Sequence, residues 1–110
     1  MNNELKNFYL SVARKYSLCN SKLEEFLSLI KEKSVFIDDM EERILYDKEI
    51  INYKENFQVD LDVILLVDIG NNDFVAFNLN ENKFQLFNVV DKIYFQDVDI
   101  DKYLKKLKEY

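Results

Sequence analysis

The stretch DVILLVDIGNNDFVAFNLNENKFQLFNV, residues 62–89, decides the fold. From Asp62 to Ile69 it is dominated by Val, Ile and Leu with little polar alternation, which is how a strand buried on both faces reads. Gly70, Asn71, Asn72 and Asp73 then form a run of turn residues. Phe74 to Leu79 predicts a second strand, Asn80 to Lys83 a polar turn, and Phe84 to Val89 a third strand. Connections this short join antiparallel neighbours, so the segment is a meander. Ile93 to Phe95 adds a candidate fourth short strand. One face of each strand, with the first strand apolar on both, predicts a core built on Val63, Leu65, Val67, Phe74, Ala76, Phe84 and Leu86.

Outside this stretch the apolar spacing is helical. Leu5, Phe8, Tyr9, Val12 and Tyr16 form one stripe on a helix from Asn3 to Tyr16. Ser21 and Glu24 match a capping box, and Leu23, Phe26, Leu27 and Ile30 continue a second helix to about Lys33. Ser34 to Asp47 is ambiguous and is read as irregular: Val35, Phe36 and Ile37 fit a short strand, whereas Asp38, Asp39, Glu41 and Glu42 fit a solvated loop or the opening turn of a helix. Asp47 is a candidate cap for a short third helix carrying Ile50, Ile51 and Tyr53 toward Phe57. At the far end, Asp99 or Asp101 can cap a last helix. There Tyr103, Leu104 and Leu107 face inward, while Lys102, Lys105, Lys106 and Lys108 complement the negative end of the dipole. Helices, then three to four antiparallel strands, then a helix give an α+β fold in one domain, residues 1–110.

Composition removes many functions. The 110 residues contain no histidine, so nucleophile activation by Ser-His or Cys-His pairs is excluded. A single glycine, Gly70, excludes the P-loop and the dinucleotide fingerprint, whose backbones must approach phosphate at several points. One cysteine, Cys19, has no internal partner and only Lys22 as a nearby cation, which reads as a plain thiol in a reducing compartment. The longest apolar run, Val63 to Val67, is far short of the roughly 20 residues needed to cross a bilayer. The start of the chain has neither the basic head nor the apolar stretch of a signal peptide, so the expected location is the cytoplasm.

Several motifs imitate chemistry without supplying it. Asp97, Asp99 and Asp101 open like a calcium loop, but the positions that need Gly and Glu hold Lys102 and Lys108, so neither metal nor cofactor is expected. Asp60, Asp62 and Asp68 fall on one strand face by alternation, yet Asp62 and Asp68 are about 20 Å apart at strand rise, too far for an acid and base pair. Phe74, Phe77, Phe84 and Phe87 resemble a base-stacking platform, but their surroundings are acidic, so they read as core.

Charge is the feature with functional content. Residues 59–101 carry nine acids against two bases, Lys83 and Lys92, for a net of -7, while the rest holds 12 acids and 13 bases. Phosphate is repelled by such a segment, and a basic protein is attracted. The candidate partner-binding residues are Asp60, Asp62, Asp73, Glu81, Asp91, Asp97 and Asp99. A soluble acidic surface with no partner is the plain alternative.

The residues 21–108 resemble the SUKH superfamily of small bacterial immunity proteins. The similarity runs through LEEFL at 23–27, ILYDKEIIN at 44–52 and, most specifically, DIGNNDFVAFNL at 68–79, where the family has a glycine turn, an acidic residue and an aromatic strand. The family's proline before the early helix, its glycine-rich turn and its tryptophan are absent here. The resemblance implies a non-catalytic inhibitor, an intracellular immunity or antitoxin protein that neutralises a basic toxin such as a nuclease. The alternative is a phage-encoded inhibitor of a host defence nuclease, of the anti-CRISPR or nucleic-acid-mimic type. A small enzyme working with carboxylates alone is the third reading.

Overall fold

A computed structural model describes residue 7 and residues 20–37 and 41–109. The predicted Asn3–Tyr16 helix and Cys19 lie outside the described residues, apart from Asn7. The elements run α1 (Ser21–Leu29), β1 (Val35–Ile37), β2 (Glu42–Ile44), α2 (Asp47–Asn56), β3 (Val63–Gly70), β4 (Asp73–Asn78), β5 (Lys83–Asn88), β6 (Ile93–Asp97) and α3 (Asp101–Lys108).

The α+β class is as read from the sequence, but the sheet has six strands, not three or four, in the order β1-β2-β3-β4-β5-β6. Every neighbouring pair is antiparallel. The segment read as irregular supplies the two extra strands. Three residues each are too few to show a period, and they become strands by pairing: β3 offers β2 a ladder, Arg43 opposite Asp68 and Ile44 opposite Val67, and β2 in turn offers one to β1, Val35 opposite Ile44.

Helix ends also shift from the sequence reading. The α1 cap is Asn20, not Ser21: its side-chain oxygen accepts the Leu23 N–H at 3.0 Å, so the helix begins a residue early. It stops at Leu29, well before Lys33, because Ile30 turns to ψ 134° and buries its side chain. Asp47 is the first residue of α2 and Tyr46 its cap, with the Glu49 carboxylate accepting the Tyr46 N–H at 3.5 Å. In α3 the cap position is Ile100. Asp99 nevertheless contributes, accepting the Asp101 N–H at 2.9 Å.

Adjacent residues of β2 show how the layers are arranged. Strand side chains alternate between faces, so Glu42 and Arg43 point oppositely. Glu42 accepts from Tyr103 and Lys102 of α3. Arg43 reaches Tyr53 and Glu49 of α2. The sheet therefore lies between α2 on one face and α3, with its neighbour α1, on the other. Both faces are apolar. Phe74 meets Tyr53 and Phe57 at ring separations of 5.7 and 5.9 Å on the α2 side, and Phe77 meets Phe84 at 4.9 Å on the other. Phe74, Phe77, Phe84 and Phe87 are thus buried core and not a stacking platform. Of the predicted core, Val63, Leu65, Val67, Phe74, Ala76, Phe84, Leu104 and Leu107 are buried, while Leu86 is only half-buried.

The turns explain the placement of the polar residues. Gly70, Asn71 and Asn72 all have positive φ, at 92°, 55° and 65°, a conformation that glycine and asparagine tolerate best. Asp68 braces this turn by accepting the Gly70 N–H at 3.0 Å. Asn78 and Asn88 do the same for the next two turns, each accepting two N–H groups just beyond its strand.

Candidate functional site

Strand direction sorts the acidic residues. In a meander the start of β3, the end of β4, the start of β5 and the end of β6 share one end of the sheet. Asp60 and Asp62 precede β3, Glu81 lies in the β4–β5 turn, and Asp97 and Asp99 close β6 and lead to α3. These five carboxylates meet at that end. Close contacts tie the segments together: the Leu79 N–H donates to the Asp62 carbonyl at 2.9 Å, Asn80 donates to the Asp62 carboxylate, and Gln85 donates to Asp97 at 2.8 Å. Asp73 and Asp91 stand at the opposite end, about 20 Å away for a strand of this length. Asp73 is held there by Asn88, 2.8 Å away. The seven candidates therefore do not form a single surface.

The cations at the acidic end have defined places. Lys83 is 3.3 Å from Asp97, and the hydrogen bonds from Gln85 and Lys83 hold the Asp97 carboxyl below its ordinary value. Lys54 is different. Its ammonium donates to the carbonyls of Val59, Asp60 and Val63, at 3.3 Å for the first and last, so its three protons tie α2 to the segment 57–62 and to the first residue of β3. Burial pushes this amine down to about 8, against the pull of Asp62 and Asp60. Beside it, α2 and the same segment enclose a largely apolar groove of about 480 Å³ lined by Ile50, Ile51, Val59 and Leu61. An amine whose donors are all engaged is a strut, not a nucleophile or an anion site.

The other acidic residues the sequence singled out do separate work. Asp68 faces Arg43 at 3.8 Å, and Arg43 also meets Glu49 at 3.0 Å, forming a half-buried cluster between β2, β3 and α2. Asp60 and Asp62 lie ahead of β3, so strand alternation does not govern them. In the D-x-D-x-D run, Asp97 turns to Lys83, Asp99 to the backbone of Asp101, and Asp101 to Lys22 at 2.9 Å. Among the described residues no group of three or more acidic, histidine or cysteine side chains is arranged to hold a metal. No helix of the described residues is long and apolar enough to cross a membrane.

One feature of the surface escaped the sequence reading. Among the described residues five large apolar side chains are exposed, and Val90, Ile93 and Phe95 among them all lie on the β5–β6 hairpin, at 65%, 52% and 48% exposure. The signal available was the alternation of Ile93 and Phe95, which marks a strand but leaves open whether anything covers it. Comparison of the chain with family models, curated proteins and solved structures finds no match in any of the three.

Proposed function

We propose that the chain is a non-catalytic binding protein, an immunity or antitoxin protein of the SUKH type, whose acidic sheet end engages a basic toxin such as a nuclease. The observation that supports this reading is the convergence of Asp60, Asp62, Glu81, Asp97 and Asp99 from separate segments at one end of a rigid sheet. Carboxylates gathered in this way set up a field that draws a positive partner in and repels phosphate. Inhibition follows from occupancy: a basic groove that binds nucleic acid is blocked when carboxylates take the place of phosphates.

The test is protection. The chain is co-expressed with basic toxins drawn from the genome that encodes it, and with one of them growth is expected to be restored together with a complex that weakens as salt rises. Toxins that all still kill, or a complex indifferent to salt, overturn the reading. Protection against a host defence nuclease instead would assign the same acidic end to a phage inhibitor.

A further inference from the structure

β6 is the last strand of the sheet, so among the described residues one of its edges has no neighbouring strand. Its ladder with β5 is interrupted: Leu86 pairs with Gln96 and Phe87 with Tyr94, leaving Phe95 opposite no residue. Such a bulge re-aims a side chain and breaks the even spacing of backbone groups that another strand would need. Phe95 is accordingly half exposed although it sits within the strand, and Ile93 and Val90 stand beside it in the chain at similar or greater exposure. Large exposed apolar residues are ordinary when scattered, but a cluster of them on one edge is the mark of a contact surface. Acids bracket the cluster, with Asp91 at one end and Asp97 and Asp99 at the other. The Lys92 ammonium is turned back onto the carbonyls of Phe57 and Val89.

We infer that the β6 edge is the side-chain anchor for the partner: Phe95 and Ile93 enter an apolar pocket, and Asp91 and Asp97 meet Lys or Arg on its rim. This rests on the reading of the partner as basic and adds where and how it is held. Charge selects that occupant over a second copy of the chain. Antiparallel pairing of β6 with itself, centred on Tyr94 or Phe95, brings Asp91 against Asp97 or Asp99 of the second copy, and like charges facing each other are destabilising. A partner with an apolar centre and basic flanks meets no such conflict. An apolar centre with a charged rim is also the usual anatomy of a protein interface, in which a few central aromatic side chains carry most of the affinity.

The probe is a random peptide library displayed on phage and panned against the whole protein. Enriched peptides are expected to carry apolar residues between Lys or Arg, and Phe95→Ser or Ile93→Ser is expected to weaken their binding by about tenfold or more. Both positions are about half exposed, and an unchanged thermal melt shows that each variant still folds. Basic peptides that bind Phe95→Ser as well as the parent overturn the anchor and leave the acidic end as the basic partner's site. Apolar peptides without basic residues that need Phe95 keep the edge as a contact surface and overturn the basic partner. Failure to enrich any peptide, or a dimer in light scattering that Phe95→Ser converts to monomer, overturns the inference.

Discussion

Tyr94 packs its ring on Phe87 at 4.8 Å and carries its hydroxyl into the interior, where that oxygen has no hydrogen-bond partner among the described residues. A buried hydroxyl without a partner is a cost that the phenylalanine ring does not have. Tyr94→Phe is therefore expected to leave stability unchanged or raise it by up to about 1 kcal/mol in urea unfolding. Burial, with Asp62 and Asp60 nearby, raises the phenol above its ordinary value of 10.0. The folded chain then keeps this proton where the unfolded chain releases it. Stability from this group is complete below pH 10 and is lost as pH rises toward the folded value, so the advantage of Tyr94→Phe should widen above pH 10. No widening would show that the hydroxyl reaches water. Leu65, at 1% exposure in the middle of β3, is the contrasting case. Leu65→Ala leaves a cavity in a two-sided core and is expected to cost about 2 to 5 kcal/mol by the same measurement. Leu65 could be read from its neighbours in the sequence. The buried Tyr94 hydroxyl could not, because its burial depends on tertiary packing, which also brings Asp62 and Asp60 near it.

β3, β4 and β5 are readable because each is six residues or longer and ends in residues that turn or cap. β1 and β2 have three residues each and exist by pairing, so their information lies in β3 rather than in themselves. The same holds for the segment 57–62, which has no apolar period and is fixed from outside by lysines 54 and 92. Lys54→Met keeps the apolar stem and removes the three donations. It is expected to cost about 1 to 3 kcal/mol and to speed amide exchange at Val59 and Val63 while the β4–β5 ladder is unaffected. Equal acceleration in both places would mean that Lys54 supports the whole sheet and not this segment.

At the scale of the molecule, the sum of charge was readable and its geometry was not. The net -7 of residues 59–101 follows from counting, whereas its division between two ends of the sheet follows from strand direction and turn placement. The division makes a prediction about rates. Reversing Asp60 and Glu81 together to Lys, at the acidic end, should slow association with the proposed basic partner by about tenfold at low salt and flatten its salt dependence. Asp73→Lys at the opposite end and Glu32→Lys should do much less, and equal effects in stopped-flow measurements would make the charge a solubility feature. The strictly sequential sheet has a further consequence for synthesis. Each strand finds its partner as soon as the next one is made, so the sheet can zip up in the order of translation, with little loop entropy at each step. The helices do not share this convenience. α1, made before any strand, rests against α3, made after all of them, and Lys22–Asp101 and Lys108–Glu25 join the two at 2.9 and 2.6 Å. The growing chain thus carries the apolar stripe of α1 without its final cover through the synthesis of all six strands, and the fold closes only once α3 has been made.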